Sequence, residues 1–284
     1  MLRLDAATVL LQWATGGLLF LWVTTRHREV GLGYGWTTRL VFLLFALGAF
    51  ACGLLDPEPL REAASLAVAA ATSLALVVSV ARKGAGVSGQ RAEHDRRAAR
   101  VVAMTGIDRS VAVDAPRGGR EFPPALDLVA PVLGAAGLVA AGLASDVQPW
   151  LAVGRNLAGA AFLGAVSDAM LLGHWYLVQP GLPRRLLNEL VSWVIWTWPV
   201  EVAFLLVPTG MVSVLNGTID DGWDGILGWM WVACAVTTIV LAFVTRAALK
   251  ERYYSAVMAA TGLLYLAILT AFGTDLVARA VLAA

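Results

Sequence analysis

The chain has 284 residues, a formal net charge of +1, 59% hydrophobic residues and 14% charged ones. Its mean hydropathy is +0.73. That composition excludes an ordinary soluble domain and a disordered chain, because apolar runs repeatedly approach the roughly 20 residues needed to cross a bilayer core.

Eight spans are predicted, over about 7–25, 39–55, 64–82, 124–144, 151–178, 187–214, 225–245 and 253–281. The expected fold is all-α: one polytopic integral membrane helix bundle occupying residues 1–284. The first span, ATVLLQWATGGLLFLWVTT, is apolar and N-terminal like a signal peptide. Only Arg3 precedes it with Asp5, however, and no small-residue cleavage site comes before Arg26, so it reads as a permanent helix.

Charge then orients the spans. Of the 21 Lys and Arg residues, all but Arg3, Arg61, Arg155 and Arg279 fall in the connections after the first, third, fifth and seventh spans. By the positive-inside rule these connections are cytoplasmic, and both termini lie on the non-cytoplasmic side. The expected location is the plasma (inner) membrane of a bacterium.

The third connection is the largest loop, residues 82–122. It begins Gly-rich, continues through a charged stretch with helical character from about Gln90 to Met104, and ends in Gly and Pro turns. Its cationic surface suits anionic lipid headgroups or the docking of partner protein subunits. It carries a single aromatic, Phe122, and no nucleic-acid reading module, so nucleic acid is not an expected partner.

The fifth span carries Arg155 near its outer end, then Asp168 and His174. Asp168 shares a face with Ala161, Gly164 and Ala165, a strip of small residues that permits close helix approach, so its carboxyl is expected inside the bundle. His174 is turned roughly 120° from Asp168 and about 9 Å further along the axis, so the two need separate partners. The sixth span places Pro199 just before Glu201. A kink is expected there, with Thr197 one turn earlier as a hydrogen-bond donor to the carboxyl. Counted from the basic end, Asp168 stands about 15 Å deep and Glu201 about 21 Å deep, close enough in level for one shared proton-relay site.

Trp175 beside His174, and Trp193 and Trp196 on the inner half of the sixth span, would form an aromatic wall for a quinone-type ring. With His27, His94 and His174 as the three histidines, a two-haem cytochrome is excluded, and His27 with His174 is the one pair placed for a single haem b. Cys52 and Cys234 lie inside spans and suggest no disulfide framework. No nucleophile elbow, zinc-protease motif, Walker loop or dinucleotide fingerprint occurs, so independent catalytic activity and a catalytic or metal centre are not expected.

The expectation is an integral subunit of a bioenergetic or redox complex, anchoring partners at the 82–122 loop, with a quinone-type site near the cytoplasmic face. The alternative is a proton-coupled transporter using Asp168 and Glu201. A membrane scaffold or assembly protein is the third class.

Overall fold

The computed structural model describes residues 5–89, 91–93, 95–96, 99, 119–145, 148–179, 181–208, 210–251 and 253–282. Among these residues there are no strands, and eight helices are long and apolar enough to cross a membrane. They are α1 (Ala6–Thr25), α2 (Leu32–Gly53), α3 (Pro59–Ala81), α4 (Val129–Ala144), α5 (Pro149–Val178), α6 (Arg184–Leu206), α7 (Ile226–Ala248) and α8 (Tyr254–Leu282). A 3-10 turn, Pro124–Leu128, leads into α4, and a short helix, Gly210–Leu215, separates α6 from α7. Most of the charged stretch of the large loop, including His94, lies outside the described residues.

Local chemistry sets the ends. The Asp5 side chain accepts from the Thr8 backbone N–H at 3.1 Å and so caps α1. Pro59 and Pro149 open α3 and α5, where a missing N–H costs nothing. The sixth predicted span is the one that changes: α6 ends at Leu206, and the chain restarts as a helix at Gly210. Pro208 has no N–H with which to continue the ladder. Pro199, by contrast, sits inside α6, which runs on to Leu206.

The helices form a bundle around two of their number. Along their most apolar stretch α1 and α5 are 72% buried, against 28–39% for the other six. They cross at Gly16 and Gly164. A side chain on Gly16 would land inside the Ala160 carbonyl, and one on Gly164 inside the Gly16 backbone. Only hydrogen fits, so the two backbones touch, as in other small-residue crossings of membrane helices. Around this axis α1 packs on α2, α4 and α5, while α5 packs on α4, α6 and α8. The outward faces of the peripheral helices carry exposed apolar side chains such as Leu44, Val77, Val132, Val236 and Leu269, a surface compatible with lipid contact.

The two ends of the bundle differ. At the basic end the connections are clasped to one another: Arg26 pairs with Glu189, Arg185 with Glu29, and Arg28 with Glu121 at 3.2 Å. Arg39 of α2 holds Asp127 through two bonds of 2.7 and 2.8 Å, with side-chain exposures of 4% and 3%. Part of the arginine excess of this end is thus consumed in joining its loops. At the other end the start of α1 and the end of α8 converge, since Asp5 and Leu282 line one cavity. There Asp221 organises the connection before α7. Burial works against its charge, yet backbone N–H donors from Gly225, Trp223, Gly228 and Leu227 outweigh it and hold the carboxyl below its ordinary range.

The crossing makes a differential prediction. Gly16→Ala should cost about 1–3 kcal/mol, because the new methyl meets backbone that cannot yield. Gly262→Ala, on α8 with open space around it, should be neutral or slightly stabilising. Thermal unfolding of the detergent-solubilised chain checks the pair, and equal melting shifts would contradict the close α1–α5 contact.

Candidate functional site

The greatest concentration of buried charge lies in the half of the bundle toward the termini, where α1, α5, α6 and α8 meet. Spacing on α8 begins it. Asp275 and Arg279 stand four residues apart in an apolar helix and so share a face. The Arg279 Nε donates to both Asp275 oxygens at 2.9 and 3.0 Å. The rest of the Arg279 guanidinium reaches α5, with Nη1 on Asn156 Oδ1 at 3.2 Å and Nη2 on the Arg155 carbonyl at 3.0 Å. Asn156 in turn donates to the Leu138 carbonyl of α4 at 3.1 Å. From α1, Gln12 Nε2 donates to Asp275 Oδ1 at 3.4 Å. Gln12 and Asp275 both press on Gly159 of α5, where any side chain would displace them.

Arg155 binds differently. Its Nε donates to the Phe204 carbonyl at 2.9 Å and its Nη2 to the Val207 carbonyl at 3.2 Å. These belong to the last turn of α6, whose carbonyls lack helical partners and favour a cation. No carboxylate lies within ion-pair distance of Arg155 among the described residues.

Glu201 completes the cluster from α6. It is fully buried, and no N–H donor among the described residues reaches either carboxyl oxygen; its carboxyl instead lies within hydrogen-bond reach of the Asp275 carboxyl, a contact that needs a shared proton. Its charged neighbours are Asp275, Arg279 and Arg155. Burying a carboxylate with no donor is costly, so its charge depends on what else occupies those arginines.

Beside this cluster is a cavity of ≈ 210 Å³, lined on its polar side by Asp5, Thr8, Glu58, Arg155, Asn156 and Arg279. Asp5 is spent on Arg61 at 2.8 Å, and Arg61 also holds Glu62 at 2.8 Å. Glu58, just ahead of α3, has no Lys or Arg within ion-pair distance among the described residues. Burial pushes its carboxyl above the ordinary range; the Arg61 charge opposes this, and Glu62 and Asp5 add to it.

No known family model matches the chain, and no curated protein or solved structure shows significant similarity to it. The residues themselves therefore carry the functional reading.

Asp168 is fully buried, as its small-residue face implies, and accepts from the Tyr34 hydroxyl of α2 at 3.1 Å. Its other oxygen is unpartnered. It does not share a site with Glu201. The acidic cluster contacts α5 at Gly159, about 14 Å along the helix from Asp168. The expected Thr197–Glu201 bond is absent, because the Thr197 hydroxyl donates to the Trp193 carbonyl at 2.8 Å on its own helix.

His174 is exposed on the bundle surface, with its Nδ1 3.1 Å from the Tyr265 hydroxyl of α8. Trp193 packs edge-on against Phe20 of α1, Trp175 against Tyr34, and Trp196 is 71% exposed. The histidine and the two α6 tryptophans thus have different neighbours. His27 sits at the basic end and accepts from Arg26 Nε at 3.1 Å, apart from His174 in its bonding. Among the described residues no group of three His, Cys, Asp or Glu side chains is placed to hold a metal ion.

Asp275, Arg279, Asn156 and Gln12 were missed by sequence reasoning. A signal existed for two of them: an acid and a base four residues apart in the apolar stretch GTDLVARAVL is the pattern of a buried pair.

The raised Glu58 sets a pH prediction. The folded chain holds the Glu58 proton more tightly than the unfolded chain does, so the stability Glu58 contributes is fully present below the ordinary carboxylate value of about 4.3 and is lost as pH rises through the folded value. Glu58→Gln should therefore melt roughly 1 °C higher at pH 7, with the gain vanishing near pH 4. A gain that is the same at both pH values would contradict the assignment.

Proposed function

We propose that the protein is a proton-coupled transporter of the bacterial inner membrane. Its basic end faces the cytoplasm, and its 210 Å³ cavity lies at the opposite end of the bundle. The carrying observation is Glu201: a fully buried carboxyl that receives no N–H donor among the described residues and sits against the Asp275 carboxyl, beside Arg279 and Arg155. Ionisable groups inside apolar spans are expensive and characteristically mark proton relays or substrate pathways. In this reading Glu201 takes and releases the coupled proton, Asp275 and Arg279 tune its charge, and the cavity admits the solute. Asp168, held by Tyr34 at another level, is not part of the relay.

The second reading is an integral subunit of a redox complex with a quinone-type ligand. It is favoured by the outward aromatic surface of α6, where Trp196 is 71% and Trp193 42% exposed and a partner helix or ring would cover them.

Reconstitution into vesicles containing a trapped pH dye, exposed to pools of small solutes, separates the readings. The wild type should show a solute-dependent proton flux. Glu201→Gln should reduce that flux at least tenfold while retaining the wild-type melting temperature, and Asp168→Asn should leave it within about twofold. No solute-dependent flux, or an undiminished one in Glu201→Gln, would sink the transporter and leave the redox-subunit and scaffold classes.

A further inference from the structure

The walls of this cavity hold four charged residues of both signs, and two of them are already matched. Asp5 is paired with Arg61 at 2.8 Å, and Arg279 with Asp275 at 2.9 Å. Two charges on the walls are not. Arg155 is bound only to backbone carbonyls, which leaves its Nη1 donors without a partner among the described residues. Glu58 lines the same cavity and has no cation within ion-pair distance there. The space, ≈ 210 Å³, is smaller than the roughly 300–1,000 Å³ of sites for drug-sized ligands, yet large enough for several waters.

We infer that this cavity binds a small zwitterion of amino-acid type, its carboxylate on Arg155 and its ammonium on Glu58. A guanidinium forks onto a carboxylate through two parallel N–H bonds, and a carboxylate accepts from an ammonium, so each unmatched wall group meets its complement in one molecule. A simple anion would leave Glu58 unpaired, and a simple cation would leave Arg155 unpaired.

This assignment rests on the transporter reading for its consequence and supplies that reading with a substrate class and a coupling. Arg155 is also one of the cations beside Glu201. A ligand carboxylate on Arg155 adds a second negative charge next to Glu201, and one proton from solution onto the Glu201 carboxyl relieves it. Occupancy and protonation then rise together, as co-transport requires.

The full chain in detergent can be titrated with L-alanine and L-leucine and with their halves: propionate and 4-methylpentanoate, which lack the ammonium, and ethylamine and isopentylamine, which lack the carboxylate. Saturable binding, read by calorimetry and by melting shift, should occur for at least one amino acid and be at least tenfold weaker for both of its halves. Arg155→Gln and Glu58→Gln should each weaken it at least tenfold. Glu58 lies at the cavity wall outside the helices, so that variant keeps the test open if Arg155→Gln fails to fold. Binding in weak buffer should take up protons in the wild type and none in Glu201→Gln. Acids that bind as tightly as the amino acids, amines that do so, or no binding by any compound would each overturn the zwitterion site. Amino-acid binding without solute-driven proton flux in vesicles would instead uphold the site and remove the transporter. Flux driven only by other solutes would do the reverse.

Discussion

Everything in the bundle is referenced to one contact, the meeting of the α1 and α5 backbones at Gly16 and Gly164. Between helices surrounded by lipid the hydrophobic effect gives little attraction, and association depends on close van der Waals packing and on buried polar bonds. The glycine crossing provides the first and sets the levels of the second. Across the crossing Trp13 Nε1 donates to Ser167 Oγ at 2.7 Å, and toward the basic end Tyr34 reaches Asp168. Toward the termini, Gln12 and Asp275 close over Gly159. A bulkier crossing would move α1 away from α5 and pull both polar levels apart.

The bundle uses charge in two ways. At the basic end, arginines join loops: Arg39 buries its guanidinium against Asp127, and Arg26, Arg28 and Arg185 each tie a connection to a distant carboxylate. Such pairs specify which loop meets which more than they stabilise, since desolvation offsets much of the attraction. At the other end the matching is incomplete. Among the described residues Arg155 is held by carbonyls, Glu201 receives no N–H donor and faces the Asp275 carboxyl, and Glu58 has no cation within ion-pair distance. These incompletely matched ionisable groups lie in or beside one cavity.

Some of this was legible in the sequence. The eight spans follow from apolar run length, and the inward direction of Asp168 from its small-residue face. An apolar count runs the sixth span too long because Pro208 interrupts hydrogen bonding while hardly lowering the hydropathy of its surroundings. Thr197 was assigned to Glu201 by one-turn spacing, but a helical threonine has a carbonyl of its own preceding turn within reach and used it. His174 and Trp196 were grouped by their depth along two helices, and depth carries no information on azimuth; both turn outward. A hydropathy average passes over Asp275 and Arg279 because they are two charges in a 29-residue helix that is otherwise almost entirely apolar.

What the sequence alone determined is one-dimensional: how many segments are long and apolar enough to cross a membrane, and which connections carry the basic residues. Both are sums along the chain and need no neighbour. The tertiary structure decided which buried charges meet. Asp275, Arg279, Asn156, Gln12 and Glu201 come from four helices, and the packing of α1, α6 and α8 on α5 brings them together. Whether a polar group is satisfied or left open depends on distances of a few ångströms between residues far apart in the chain, and that is a property of packing, which no local pattern encodes.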